Sequence, residues 1–323
     1  MTVKFGIIGL GKISNRFAAA LNTVPHVKLV SVASRDQAKS DAFAKKYGAK
    51  SAYADYMEVI HDPDVDVIYV GLINNLHFEI TRQCLENRKP VLCEKPLVTT
   101  EHQAQQLINL ARENSTFLME ALWTRCMPAF RQAKAWVKSG KIGQVRLITA
   151  NFSYMATQDE KNRQFNAGLE GGSLFDVGVY PIDFATGILE EAPTAVTGLA
   201  EISHSGVDQA ASFSMSFASG AMASLNSGFM VNAKGEAVIY GTRGRITLDN
   251  CYGPKQCGRY DEKDQLVERF EEPVPDGFVY QIAHCAELIR AGKLESDLIP
   301  WKDTLTSARI FDTLNRQWGL LKA

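Results

Sequence analysis

Long apolar runs are absent from this 323-residue sequence. The longest, such as Val67–Ile73, fall far short of the ~20 residues that cross a bilayer as a helix. Cysteine is sparse. Its six residues stand at 84, 93, 126, 251, 257 and 285, with no CxxC spacing and no histidines gathered near the closest pair. This argues against a disulfide framework, no metal site is expected, and free thiols in a reducing compartment are the natural reading. Excess charge is missing too, since 35 basic residues face 36 acidic ones for a net −1. Nothing in that balance draws the chain to nucleic acid or to an anionic membrane. The opening residues run from a short apolar stretch straight into a glycine turn, which describes a buried strand and not a signal peptide. A cytoplasmic location is the resulting expectation.

Core material is plentiful. Hydrophobic residues make up 46% and charged residues 22%, a globular balance, and the length is about twice that of a common domain. The first third alternates two patterns. Apolar, β-branched runs occur at Val3–Gly9, Val27–Ala33, Val65–Leu72, Val91–Cys93 and Thr116–Glu120. Between them lie segments of helical spacing at Arg16–Asn22, Asp36–Tyr47, Phe78–Asn87 and Glu101–Asn114. Near-continuous apolar strands predict a parallel sheet covered on both faces. Right-handed crossovers make it doubly wound.

Beyond Leu122 the pattern changes. One helix, Pro128–Ser139, precedes strand candidates at Val145–Tyr154, Ala195–Ile202, Ala210–Phe217, Ala221–Phe229, Ala237–Tyr240 and Arg245–Leu248. Ser219-Gly220 marks a hairpin turn. Helical segments fit Ser173–Leu189, Tyr280–Arg290 and Lys302–Leu321. The expected fold is an α/β doubly wound domain over residues 1–122, then an α+β domain over 123–323 with a large, mostly antiparallel open sheet. The last helix is free to pack back on the first domain. An open sheet needs cover on its second face, and a second copy is the usual cover, in a homodimer or homotetramer.

Gly9-Leu10-Gly11-Lys12-Ile13-Ser14 joins the first strand to the first helix. Two glycines let the chain turn tightly and let a pyrophosphate approach the backbone at a helix N-terminus. Ser14 replaces the third glycine of the dinucleotide fingerprint. On a bare strand–turn–helix the same string is a tight turn and nothing more; its place at the start of an alternating domain favours the dinucleotide. After the second strand an acid would bind ribose hydroxyls and repel a 2′-phosphate. Here Ser34 stands about where that acid would, followed by Arg35, with Lys39 a turn further on. A hydroxyl and a guanidinium suit a phosphate, so NADP is favoured, with NAD as the alternative. The plainer reading makes Arg35 a solvated charge and Asp36 a helix cap.

Three strings remain: Asn74-Asn75-Leu76-His77 after the third strand, Cys93-Glu94-Lys95-Pro96-Leu97 after the fourth, and Gly171 to Tyr180, with the pattern GGxLxDxGxY. Together they resemble the glucose–fructose oxidoreductase and inositol dehydrogenase (Gfo/Idh/MocA) family, over nearly the whole chain. Glu120-Ala121-Leu122-Trp123-Thr124-Arg125, with tyrosine at 180, narrows the resemblance to the dimeric dihydrodiol dehydrogenase branch, which includes NADP-dependent xylose dehydrogenases. The resemblance implies a Rossmann domain, an open-sheet second domain, and Lys95, Asp176 and Tyr180 in the catalytic positions. Histidine is commoner in the family where this chain has Tyr180, and proline where it has Ile73. Both departures bear on substrate and proton chemistry more than on fold.

The residues support the same chemistry independently. Lys95 follows a buried parallel strand, at the end where such sheets bind ligands. Asp176 and Tyr180 are four apart on an expected helix and so share a face. Oxidising an alcohol needs a group that takes the hydroxyl proton. Free tyrosine, with a pKa of about 10, is a poor base near neutrality, and a neighbouring ammonium favours its phenolate. Each residue alone also fits a structural role. Glu94 is expected near the nicotinamide ribose or as a counter-charge to Lys95, and Pro96 after a cis bond. Asn74 and His77 are expected to line the cofactor crevice, His77 fitting equally a packing role. Trp123, Arg125, Phe152, Tyr154, Tyr252 and Phe278 are candidate walls for a ring substrate, although core packing claims most aromatics. Lys161 and Arg163 are candidates for a mobile loop, and Asp183 for a structural role. The function expected is hydride transfer between a nicotinamide and a sugar, cyclic polyol or dihydrodiol. The competing reading is a non-catalytic dinucleotide or sugar sensor on the same scaffold.

Overall fold

The computed structural model describes residues 1–159 and 161–321. In the first part of the chain, strands β1 (Val3–Ile8), β2 (Val27–Ala33), β3 (Ser51–Tyr53), β4 (Val67–Val70), β5 (Val91–Cys93) and β6 (Leu118–Glu120) alternate with helices α1 (Lys12–Leu21), α2 (Gln37–Tyr47), α3 (Tyr56–His61), α4 (Asn74–Glu86) and α5 (Glu101–Glu113). The strands pair in parallel in the order β3-β2-β1-β4-β5-β6. Every residue of β4, β5 and β6 is buried. Helices cover both faces, so no polar alternation is needed and the strands read as unbroken apolar runs. The strand order reverses between β1 and β4, and in such sheets the ligand crevice opens there, outside the carboxyl ends. Sequence pattern did not reveal β3 or α3. β3 is a three-residue, half-buried edge strand, too short to show a period.

The second part begins with α6 (Pro128–Lys138) and β7 (Val145–Ser153). A π-helical turn, Leu174–Gly178, then runs into α7 (Val179–Leu189). Strands β8 (Ala195–Ile202), β9 (Asp208–Ser216), β10 (Met222–Gly228), β11 (Ala237–Gly241), β12 (Gly244–Leu248), β13 (Gln256–Tyr260) and β14 (Leu266–Glu271) follow, then α8 (Phe278–Arg290) and α9 (Trp301–Gln317). The eight strands β7–β14 form one sheet, ordered β14-β13-β12-β11-β7-β10-β9-β8. Its pairs are antiparallel except β7 with β10. The expected hairpin at Ser219-Gly220 joins β9 to β10.

One face of this sheet is core. Ile148, Phe213, Leu225, Ile239 and Ile246 are all buried, and α6 and α7 pack on the sheet. The other face is open. Register places Leu147 beside both Met222 and Tyr240, and all three are exposed. Strands β13 and β14 went unseen in the sequence because they are short and their apolar residues do not alternate strictly with polar ones.

Contacts divide the chain into two units. The first contains Met1–Ala121 and Asp276–Thr304; the second contains Leu122–Pro275 and the segment from Leu305 onward. The chain thus re-enters the first unit after residue 275, where a sequence reading had one cut after 122. Arg16 of α1 explains the return. It holds Asp276 through two hydrogen bonds of 2.7 and 2.9 Å, and its guanidinium lies 4.1 Å from the centre of the Phe278 ring. The indole of Trp301 donates to Leu118 O at 2.8 Å, fastening the start of α9 to β6. All six cysteines are buried thiols outside any disulfide. Burial pushes the Cys251 and Cys257 thiols up to about 12, so they stay protonated. Among the described residues, no helix is long and apolar enough to cross a membrane.

Candidate active site

The turn from β1 into α1 has two glycines with different tasks. Gly9 sits at φ 86, in the left-handed region that favours glycine, and a Cβ there would lie 2.6 Å from Leu72 Cδ2. Gly11 is extended, at φ −81 and ψ −169, and a Cβ there would meet nothing within 4 Å. The space in front of it is open. It lies at the start of α1, whose first turn carries no acidic residue and no side-chain cap. Unclaimed N–H groups and the helix dipole there suit an anion, so the turn fits a dinucleotide pyrophosphate. Lys12 is exposed and Ile13 half-buried beside it. Ser14, in place of the third glycine, is fully buried and donates to Gly9 O at 2.5 Å. A Cβ on Gly71 would collide with its hydroxyl. The close approach of helix to strand survives because the strand side supplies the glycine.

After β2, the Ser34 hydroxyl donates to Asp36 O at 2.8 Å and lies 3.0 Å from the Ser40 hydroxyl. Asp36 caps α2, accepting from Lys39 N at 3.2 Å. Ser34 therefore shapes the turn. Arg35 and Lys39 are exposed. The side chain of Arg35 makes no hydrogen bond or ion pair with another described residue.

After β5, Glu94 is 6% exposed and accepts from Tyr69 Oη at 2.5 Å. Burial raises its carboxyl, against the pull of that hydrogen bond and of the Lys95 charge. Tyr69 stacks on Phe17 of α1 with ring centres 3.6 Å apart. The Lys95–Pro96 bond is cis, and Lys95 is partly exposed between buried neighbours. Asn74, 8% exposed, opens α4. His77 is 1% exposed. Its two ring nitrogens lie 2.8 Å from Pro96 O and 3.1 Å from Leu72 O, so it ties α4 to the loop carrying Lys95.

In the second unit the GGxLxDxGxY segment is a π-helical turn leading into α7, not the continuous α-helix that the four-residue spacing suggested. Asp176 is 8% exposed. It accepts from Arg163 Nη2 at 3.0 Å, Tyr154 Oη at 3.1 Å and Gln164 Nε2 at 3.2 Å. Gln164 also contacts the Tyr154 hydroxyl. Burial, followed by the charge of Asp176, pushes the Tyr154 phenol well up, so its proton stays on. Tyr180 accepts from the Trp123 indole at 3.4 Å. Its ring centre lies 5.5 Å from Phe152 and 6.2 Å from Tyr252. Phe152 stacks on Tyr252 at 4.1 Å.

This unit therefore gathers Trp123, Phe152, Tyr154, Asp176, Tyr180 and Tyr252 around one set of rings and polar groups. The first unit holds Gly9, Gly11, Lys12, Ile13, Ser34, Arg35, Lys39, Asn74, His77, Glu94 and Lys95. Two further wall candidates have other contacts. Phe278 belongs to the first unit, 6.5 Å from Phe17 between ring centres. Arg125 is 2% exposed and forms a 2.6 Å ion pair with Asp183. A guanidinium out of water needs such a partner, which gives Asp183 its structural role.

Residues 3–122 match the family model described as "Oxidoreductase family, NAD-binding Rossmann fold". Residues 130–247 match the GFO/IDH/MocA C-terminal domain. The chain belongs to the Gfo/Idh/MocA oxidoreductase family. It is 34% identical over 329 residues to trans-1,2-dihydrobenzene-1,2-diol dehydrogenase of Xenopus tropicalis, covering 99% of each chain. With the Homo sapiens protein of that name it shares 29% over 332 residues, covering 99% of this chain and 98% of the other. Among solved structures, an aldose–aldose oxidoreductase from Caulobacter crescentus, complexed with glycerol, matches with a TM-score of 0.89 at 26% identity, over 98% of this chain and 97% of that one. A 3-ketoreductase from Actinomadura kijaniata, in complex with NADP and TDP-benzene, matches with a TM-score of 0.86 at 26% identity, over 98% of both. This member of the Gfo/Idh/MocA family is thus an oxidoreductase with a nicotinamide-dinucleotide-binding fold.

Sequence reasoning missed Asp208, because the strand was expected to begin at Ala210 and nothing in Gly206-Val207-Asp208 sets the acid apart from a turn residue. It is 2% exposed and accepts from Ser173 Oγ and Leu174 N, each at 2.7 Å. It thereby pins the start of the turn that carries Asp176. Burial pushes its carboxyl from 3.8 up to about 7, against those hydrogen bonds. A folded-state value above the unfolded one means that the native state holds the extra proton. The stability this gives is present in acid and is lost as pH rises from 3.8 to about 7. Asp208→Asn, which cannot ionise, should therefore gain thermal stability relative to wild type as pH rises through that window. A gap between the two unfolding temperatures that does not change with pH would contradict this.

Proposed function

We propose that this protein is an NADP-dependent dehydrogenase or reductase of a sugar, cyclic polyol or trans-dihydrodiol, with Lys95, Asp176 and Tyr180 as its catalytic groups. The observation that carries the reading is the surround of Tyr180: an indole donor on its oxygen and aromatic rings about it, with the charged Asp176 cluster on the preceding turn. Rings and polar groups in this combination suit a cyclic substrate bearing hydroxyls. The similar proteins, a dihydrodiol dehydrogenase and an aldose–aldose oxidoreductase, support it.

Held at the Gly9–Gly11 turn, the nicotinamide cofactor supplies the hydride acceptor or donor. The chain's own residues handle the proton. Tyr180 takes it at Oη from the substrate hydroxyl, or returns it to the carbonyl oxygen in the reverse direction. A hydrogen bond to the charged form favours that form, so the Trp123 indole stabilises the phenolate. Lys95 contributes an ammonium that polarises the substrate oxygen, which is general acid–base catalysis assisted by charge. Asp176 accepts a substrate hydroxyl and fixes its orientation. The first unit serves as the cofactor domain and the second as the substrate domain. The exposed row of Met222, Leu147 and Tyr240 supports dimerisation through the open sheet, and a cytoplasmic location is part of the proposal.

The preference for NADP rests on the exposed Arg35, whose side chain makes no hydrogen bond or ion pair with another described residue, and on the absence of an acid at position 34. The NADP in the related 3-ketoreductase supports it. Arg35→Ala should lower kcat/KM with NADP by about tenfold to a hundredfold, the worth of one or two charge-assisted hydrogen bonds, and leave the value with NAD unchanged. Equal losses with both cofactors would refute the assignment.

Tyr180→Phe, assayed by NADPH absorbance over a panel of sugars, polyols and dihydrodiols, should lower kcat by about 10²–10⁴. Turnover near wild type would remove Tyr180 from proton transfer. Tight NADPH binding by the wild-type protein with no turnover of any panel member would instead indicate a sensor.

A further inference from the structure

A guanidinium, a carboxamide and a phenol converge on one buried carboxylate. Asp176 is 8% exposed, and a carboxylate that far from water needs a counter-charge or it takes up a proton. Arg163 is that counter-charge, 3.0 Å from Oδ1. Gln164 and Tyr154 hold the other oxygen, Oδ2. The Arg163 guanidinium and the Tyr154 phenol are thus two titratable groups of this unit in direct contact with the carboxylate.

The segment bearing Arg163 and Gln164 is fixed in place. Residues Arg163–Phe165 form a short 3-10 turn, capped by Asn162, whose side chain accepts from Gln164 N. Phe165 is 4% exposed, in a cluster with Ala156, Val177 and Phe229. Val177 follows Asp176 directly, so the cluster joins this segment to the turn that it serves. Gly172 N donates to Gln164 O at 2.9 Å, and Gly171 N to Asn166 O at 3.0 Å. A Cβ on Gly171 would lie 2.5 Å from Arg163 O and 2.7 Å from Gln164 O. The paired glycines are thus where the segment carrying Arg163 docks against the segment carrying Asp176.

We infer that Arg163 is a positioning residue: it keeps Asp176 ionised, and with Gln164 and Tyr154 it fixes the orientation of the carboxylate. Its relevance to the reaction rests on the proposed catalytic place of Asp176. A closing loop whose arginine grips substrate is the competing role, and the two differ in what they do to the Asp176 carboxyl. Removing the opposite charge raises the pKa of a carboxylate, by about one to three units for a partner at this distance.

The test is a pH titration of isotope-labelled aspartate carboxyls by NMR on the full-length protein, the Asp176 signal being identified by its loss in Asp176→Asn. Arg163→Met and Arg163→Lys are titrated beside wild type. Arg163 is well exposed, so both variants should fold. The midpoint of Asp176 should move up by about one unit or more in Arg163→Met, and Arg163→Lys should restore most of the shift. Steady-state kinetics with D-xylose and trans-1,2-dihydrobenzene-1,2-diol should show the acid limb of kcat moving with it, at little cost in KM. An unmoved midpoint, or a Lys variant displaced as far as the Met variant, would overturn the inference. So would a raised KM in Arg163→Met with the midpoint unmoved, the signature of an arginine that touches substrate. If Asp176→Asn keeps wild-type turnover while the midpoint still shifts, the catalytic assignment of Asp176 fails and the charge-holding role of Arg163 stands.

Discussion

Between Gly171 and the Arg163–Asn166 segment there is no room for a β-carbon, and the same is true between Gly9 and the Gly71-Leu72 corner. Both proposed working parts of the molecule depend on backbone passing this close to its neighbour. In the first unit the approach brings α1 onto the sheet and leaves its first N–H groups open toward the crevice. In the second it seats Arg163 and Gln164 on Asp176. A side chain at such points must displace main chain, since a well-packed interior does not yield by ångströms at small cost. Glycine is therefore a steric requirement in these motifs before it is a chemical one.

Buried charge sets the next level of order. Taking a carboxylate or guanidinium from water costs several kcal/mol unless a partner replaces the lost hydration. The buried groups meet that requirement differently. Arg125 and Asp183 pair with each other, Glu94 accepts from Tyr69, and Arg163, Gln164 and Tyr154 all hold Asp176. The first pair locks structure around α7. Glu94 extends a line of contacts running from Asp276 and Arg16 through the rings of Phe278, Phe17 and Tyr69 to the residue before Lys95. This line explains why a segment distant in sequence belongs to the first unit.

Much of the fold was legible in the sequence, and the limits have physical causes. Strands β1, β2, β4 and β5 announced themselves because burial on both faces requires apolar residues without a break. The hairpin of β9 and β10 was marked by its turn. β3, β13 and β14 were silent, being short, without strict alternation or at an edge. In the site, the glycine turn and the strings around Lys95 and Tyr180 were visible because their residue types are unusual in those positions. The ion pair of Arg125 with Asp183 was not legible, because a guanidinium in a buried ion pair and one facing a ligand look alike in a string of letters. Phe278 falls in the first unit and not the second because its place is decided by the Arg16–Asp276 pair, 260 residues apart in sequence. Asp208 carried no signal, since its importance comes from what strand pairing brings beside Ser173 and Leu174.

The open space before Gly11 allows a direct test of whether this turn is the dinucleotide cradle. Because a Cβ there meets nothing within 4 Å and the backbone is extended, Gly11→Val should fold as wild type does, whereas its isopropyl group occupies the room a pyrophosphate needs. Titration of NADPH by isothermal calorimetry, beside a thermal unfolding curve, separates these effects. Binding should weaken by about a hundredfold or more, on the order of 3 kcal/mol, with the unfolding curve little changed. A Gly11→Val protein that is folded and binds NADPH as tightly as wild type would show that the cofactor is held elsewhere.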